Sequence, residues 1–256
     1  MLDVVDLRNF YAQPLGHVAR RLVGAAIRTR WPDTRGLAVL GLGYATPYLG
    51  LFRHEVERTF AFMPATLGVV KWPSAAPTLA ALVDETYLPL PDAAVDRVVA
   101  VHALEMTANG AVMLEEIWRV TAAGGRLLLI VPNRRGLWAR VDSTPFGYGR
   151  PFSRSQIGTL LKDAMFSPED WQYALYMPPF SWRVLLKWPV FWERLGLVLW
   201  PTFSGVIMVA ATKQIYAALP VNEVRSRRRV VPVPAGVTPR EAHPSRRAFG
   251  PPQDEV

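Results

Sequence analysis

The sequence predicts one α/β domain, doubly wound around a mostly parallel sheet, with an N-terminal helical extension and an aromatic insert. Three observations predict it. Apolar runs such as Val98-Val99-Ala100-Val101 and Leu127-Leu128-Leu129-Ile130-Val131 lack the alternation of a half-exposed strand and suit strands covered on both faces. Segments with apolar residues at helical spacing lie between such runs. The first run, Leu37 to Leu40, leads straight into Gly41-Leu42-Gly43, a turn where the backbone of an α/β protein approaches a nucleotide-like ligand closely. Strand–helix–strand alternation continues through residue 131, and such connections are right-handed.

Val4 to Arg30 reads as helix with a break near Pro14, and Val18, Leu22 and Ala25 mark one apolar face. Gly36 to Leu42 is the first strand, followed by a helix that starts at Pro47 with Thr46 as its cap. Thr59 to Met63 and Leu79 to Val83 are the second and third strands, and Arg97 to His102 holds the fourth. Asn109 to Thr121 is a helix with Met113, Ile117 and Val120 inward, Glu115 and Glu116 more outward, and Gly124-Gly125 closing it. Arg126 to Val131 is the fifth strand. A Gly-, Pro- and Arg-rich loop runs from Asn133 to Arg154, and Ser153 caps a helix over Ser155 to Ala164. Gln172 to Met177 and Val206 to Thr212 are late strands flanking an insert, Pro178 to Gly205, in which Pro189 interrupts any long helix. The domain is expected to span residues 1–219. From Pro220 to Val256 proline and arginine dominate and apolar periodicity stops, which reads as a disordered tail.

Half of the 256 residues are apolar, enough for a sizeable core, and the absence of cysteine excludes disulfides and Cys-based metal sites. The segment from Met1 to Phe10 lacks the basic start and apolar core of a signal peptide, so a cytoplasmic location is expected. The net charge is +8; seven arginines against four acids in residues 220–256 account for +3 of it. That is a slightly basic solvated surface rather than the dense basic face of a nucleic-acid binder, which leaves only the Arg225 to Arg229 cluster as a phosphate-binding candidate. Leu195 to Thr212 is the longest uncharged stretch, falls short of the ~20 residues that span a bilayer, and is interrupted by Pro201.

Three segments carry a resemblance. Val39-Leu40-Gly41-Leu42-Gly43-Tyr44-Ala45-Thr46-Pro47 follows an apolar, apolar, acid, apolar, Gly, any, Gly, Thr, Gly pattern at its apolar positions, Gly43 and Thr46. A slide of the alignment makes Gly41, Gly43 and Ala45 the glycine-rich triplet instead. Asp84-Glu85-Thr86-Tyr87-Leu88-Pro89-Leu90-Pro91 with Asp96 follows an acid, spacer, Leu-Pro-Phe-x-Asp pattern, and Glu115 to Leu127 follows a helix, Gly-Gly turn and strand. Together, from Gly36 to Gln214, the chain resembles the type-11 branch of the class I S-adenosylmethionine-dependent methyltransferases, whose domain is Rossmann-like. The resemblance implies S-adenosylmethionine as cofactor, Gly41, Gly43 and Ala45 at the cofactor turn, and Asp84, with Glu85 beside it, at the adenine amine. It also implies departures. The family's acid for the cofactor ammonium is Gly41 here, and Met63-Pro64 stand where an acid would meet the ribose. Each charge-assisted hydrogen bond lost is worth about 1.5–3 kcal/mol, so two losses weaken binding by about two orders of magnitude or more unless backbone or water substitutes.

Methyl transfer asks the protein mainly to hold an acceptor in line and exclude water, because the sulfonium supplies the activated methyl group. Candidates at the strand ends are His102, either a base toward the acceptor or a packed imidazole, and Tyr148 with Arg150 in the loop Asp142 to Pro151, either a lid or a rigid connector. Asp84 reads either as ligand or as an exposed acid ending a strand. Trp182, Trp188, Trp192 and Trp200, interspersed with Arg183, Lys187 and Arg194, suit packing, a protein partner or homodimer, a lid over an apolar substrate, or peripheral contact with a membrane. The expected function is methyl transfer to a small-molecule acceptor, quinone-like or lipid-like, with a non-catalytic, partner-binding methyltransferase-like protein as the alternative. No metal-ligand spacing appears. The first expectation requires that the crevice over the leading strands has room for an adenosyl sulfonium.

Overall fold

The computed structural model describes residues 2–180 and 187–215, so the tail, its arginine cluster and Trp182 lie outside the described residues. The helical start is two helices, α1 (Val4–Ala12) and α2 (Pro14–Arg30), parted at Gln13 by Pro14. Asp3 caps α1 in a reciprocal box with Asp6. The buried stripe of α2 is Leu15, Ala19, Val23 and Ile27; Val18 and Leu22 flank it and Ala25 faces solvent, one position away from the expected face.

A seven-stranded sheet follows in the order β3-β2-β1-β4-β5-β7-β6. Strands β1 (Ala38–Gly43), β2 (Arg58–Pro64), β3 (Ala80–Val83), β4 (Val95–Val101) and β5 (Thr121–Pro132) pair in parallel. β7 (Val206–Lys213) runs antiparallel to β5 and to β6 (Phe166–Ala174). The uninterrupted apolar runs have a simple cause. Val99, Val101, Leu128 and Ile130 face one core with α1 and α2, while Val98, Ala100, Leu127 and Leu129 face a second core with α4 (Gly110–Val120) and α5 (Arg154–Asp163). Ser153 caps α5 and closes a box with Gln156.

Several local expectations are corrected. The helix after β1, α3 (Thr46–Leu49), is a single turn, and Thr46 is its first residue and provides no cap bond. α4 ends at Val120, and β5 starts at once, so Gly124-Gly125 does not close the helix. The pairing register jumps from Val95↔Thr121 to Arg97↔Arg126, and Gly124 takes φ +69° in the excursion between. Glu116 is buried rather than outward. Its Oε1 accepts from the Leu88 amide at 2.6 Å, and Arg119 bonds Glu116, Asp92 and the carbonyls of Leu88 and Leu90. The Leu-Pro-Leu-Pro segment and α4 are therefore one hydrogen-bonded unit, and Asp96 accepts from the Ala38 amide at the start of β1. Pro189 does bound the helix of the insert: Lys187 is helical, Trp188 bends the chain, and Pro189 takes the first position of α6 (Pro189–Leu199), where its missing N–H costs nothing.

α6 is fastened through Glu193, which accepts from the amides of Leu175 (2.7 Å), Tyr176 (2.8 Å) and Met177 (3.4 Å). Leu175 is left-handed (φ +62°), a conformation that a leucine holds only when its surroundings demand it. Burial holds the Glu193 carboxyl above the usual carboxylate range, against the pull of those amides. The native state then keeps this proton to higher pH than the unfolded chain, so the residue's contribution to stability falls as pH rises from the ordinary carboxylate range through its native pKa. Glu193→Gln should flatten that part of the stability–pH curve. Glu193→Ala should cost about 2–4 kcal/mol by leaving buried amides without an acceptor, read as a lower urea midpoint.

Candidate functional site

In an open α/β sheet the ligand lies beyond the carboxyl ends of the strands, and here those of β1, β2 and β4 converge. Gly43 takes φ +79°, and a Cβ there would stand 2.3 Å from the Val101 carbonyl oxygen. The Tyr44 amide donates to that same oxygen at 2.7 Å. Glycine is therefore required where β1 and β4 part. Gly41 is required for a different reason: its Cβ would meet Leu49 Cδ1 at 2.6 Å and Ala45 Cβ at 2.9 Å. The one-turn helix α3 has been drawn onto the strand, and no volume is left for the acid that the resemblance places at Gly41.

The space above is packed with side chains. Tyr11 of α1 stacks on Tyr44 with ring centroids 5.7 Å apart, and its hydroxyl stands 3.0 Å from both Tyr48 Oη and His102 Nε2. Phe146, from the loop after β5, lies 4.9 Å from the His102 ring and edge-on to Trp138. Met63, at the ribose position, is fully buried. The expectation of an open crevice is thus corrected: α1 and the 142–151 loop lie on the strand ends and fill them with aromatic rings. Burial drives the phenols of Tyr11 and Tyr48 well above their ordinary range, so neither ionises near neutral pH.

His102 has φ +50°, which turns its ring inward from the end of β4. Its Nδ1 stands 3.3 Å from Glu105 Oε1, an ion-pair distance without hydrogen-bond geometry. His102 Nδ1 and both Glu105 carboxylate oxygens have no hydrogen-bond partner, although the Glu105 side chain is 1% exposed. A buried carboxylate in that condition is costly unless something pairs with it. Beside it lies a cavity of about 220 Å³ lined by Leu2, Thr66 and Leu67 after β2, Glu105 and Met106 after β4, and Tyr148 and Gly149. The loop is pinned there: Arg150 N donates to the Glu105 carbonyl at 2.9 Å, and a Cβ on Gly149 (φ +77°) would stand 2.3 Å from that oxygen.

The candidate residues fall into two groups. Gly41, Gly43, Ala45, His102 and Tyr148 gather over β1 and β4. Asp84 is exposed at the end of β3, where Oδ1 accepts from the Thr86 hydroxyl (2.6 Å) and amide (2.8 Å), and these bonds hold its carboxyl below the usual range. Glu85 accepts from Thr107 Oγ1 at 3.0 Å and ties the end of β3 to the segment after β4. Tyr11, Tyr48 and Phe146 escaped the sequence reading, because an aromatic on a helix or loop carries the same signal as any core residue.

Residues 27–129 match the family model for a methyltransferase domain, of the type-11 branch. This segment is a class I methyltransferase domain. Solved structures of low identity share its fold. A methyltransferase chain from Haloferax volcanii, in complex with a methyltransferase activator, is 18% identical, covers 82% of this chain and 96% of its own length, and gives a TM-score of 0.56. An S-adenosylmethionine-dependent methyltransferase from Thermotoga maritima, described as a possible histamine N-methyltransferase, is 14% identical with 82% and 96% covered and a TM-score of 0.58. The [4+2]-cyclase SpnF is 18% identical with 77% and 82% covered and a TM-score of 0.53. No curated relative matches the sequence.

The family implies S-adenosylmethionine as the cofactor of this methyltransferase domain. As packed here, its residues do not fit the whole cofactor. Glu105 has the charge to face a cationic group, but the cavity beside it is smaller than the ~300 Å³ at which ligand pockets begin, and Tyr11, Tyr44 and Met63 occupy the rest. Tyr11→Phe should remove both hydroxyl bonds, leave Tyr48 and His102 short of a partner, and lower stability by about 2 kcal/mol in a urea titration. Gly41→Asp, which restores the family's acid, should fail to restore a site and should destabilise more, through overpacking and a buried charge.

Proposed function

We propose that the chain methylates a small-molecule acceptor of quinone-like or lipid-like character, in a state where α1 and the 142–151 loop have withdrawn from the strand ends. The observation that carries this reading is the origin of the plug. Leu2, Tyr11, Phe146 and Tyr148 come from segments outside the parallel strands, whereas the segments after β2 and β4, through Thr66, Leu67, Glu105 and Met106, still border a cavity at the carboxyl ends of the strands. Asp84, Glu85 and the glycine turn are the cofactor side of this proposal, and His102 and Tyr148 its acceptor side. Leu2, Leu67 and Met106 around the cavity suit an apolar acceptor, and the absence of cysteine accords with a cytoplasmic location.

A second reading is a methyltransferase-like protein that has lost catalysis and acts through a protein partner. The missing acids at Gly41 and Met63 and the aromatic packing favour it, and the Haloferax volcanii structure with an activator is a case of this fold bound to another protein.

Titration calorimetry with S-adenosylhomocysteine separates the two. Under the first reading wild type binds weakly and Tyr11→Ala, which empties the stacked ring, binds at least about tenfold more tightly, a gain of 1.4 kcal/mol or more. Asp84→Ala should reverse part of that gain. No binding near millimolar by wild type or Tyr11→Ala would overturn methyl transfer and leave the partner reading.

A further inference from the structure

α6 is set into the fold with its polarity reversed. Its acid, Glu193, is turned inward onto three backbone amides; Gly196 lies against Tyr176, and Trp192 packs on the core. The opposite face carries Val190, Phe191, Arg194, Leu197 and Val198, a helical stripe that is exposed. Val198 is 76% exposed, and Trp188, just before the helix, 63%. Lys187 stands exposed on the N-terminal side. Leu197 also lines a cavity of about 580 Å³ with Tyr173, Tyr176 and Ile207, where Arg135 and Arg154 contribute the charge. Neither arginine has a carboxylate partner among the described residues.

We propose that this face docks on an anionic phospholipid surface, with α6 lying in the interface plane and Lys187, Arg194, Arg135 and Arg154 meeting lipid phosphates. Eleven residues are too short to span a bilayer but suit an interfacial helix, whose apolar stripe enters the headgroup boundary while basic residues hold the anionic surface. A second copy of the chain is the poorer occupant. A two-fold interface centred on this stripe would bring Arg194 toward its own mate, between chains each carrying +8. The proposal does not rest on methyl transfer, because lipid docking needs no cofactor, and it would place an apolar acceptor within reach.

Co-sedimentation of the full chain with vesicles tests it. The chain should sediment with phosphatidylcholine vesicles enriched in phosphatidylglycerol, not with phosphatidylcholine alone, and high salt should release it. Val198→Glu, at a site too exposed to disturb folding, should weaken binding at least about tenfold. Arg135→Gln with Arg154→Gln should weaken it about fivefold per charge. Equal binding to neutral and anionic vesicles, no binding to either, or binding that Val198→Glu leaves unchanged would overturn the proposal. So would a vesicle-free dimer in light scattering that Val198→Glu dissolves, which would assign the face to a second copy.

Discussion

The approach of β1 to β4 at Gly43 governs the rest of the site. With no side chain there, the backbone of the turn lies against the Val101 carbonyl, and the next residue, Tyr44, is anchored by its amide to the same atom. This fixes Tyr44 over the strand ends and brings His102, left-handed at the end of β4, opposite it. Tyr11 then has two fixed partners, a ring to stack on and an imidazole nitrogen to bond, and α1 is held across the sheet through them. A substitution at Gly43 would move all of these together.

Carboxylates have changed their places in this domain. Where the family keeps acids for its cofactor, this chain has Gly41, filled by Leu49, and Met63, buried in the core. Its buried acids sit elsewhere. Glu116 ties the Leu88 segment to α4 and is held below the usual range first by Arg119, and Glu193 holds α6 while burial pushes its carboxyl up. Glu105 differs from both: it is buried, close to His102, and without a hydrogen bond. A buried carboxylate without a hydrogen bond is costly unless water, an ion pair or a ligand compensates it, and here His102 is the group within ion-pair distance.

Two faces of the molecule thus carry its unfinished chemistry. The strand ends hold a carboxylate without a hydrogen bond beneath aromatic rings, and α6 presents an exposed apolar stripe above an acid that serves the backbone. The loop from 133 to 153 connects them in sequence: Asn133 and Arg135 border the cavity beneath α6, and Tyr148 and Gly149 border the one beside Glu105.

Much of the fold was legible in the sequence because it rests on local pattern. Unbroken apolar runs marked the buried strands, Pro14 marked the break between α1 and α2, and Ser153 marked a cap. The errors arose where distant contacts override local signals. Glu116 looked outward until Leu88, far along the chain, supplied an amide. Gly124-Gly125 looked like a helix stop and is an excursion in β5. The lone acid in the apolar stretch from Trp188 to Trp200 was a signal that could have found Glu193.

By itself the sequence determined the parallel core of the sheet, the alternation of strands and helices through residue 131, and the methyltransferase-domain resemblance, because hydrophobic period and turn residues act over a few positions. Whether the strand ends stand open, which acids are buried, and which face of α6 meets water were decided only by tertiary structure. Those depend on which side chains arrive from remote segments to take the same volume and the same hydrogen-bond donors.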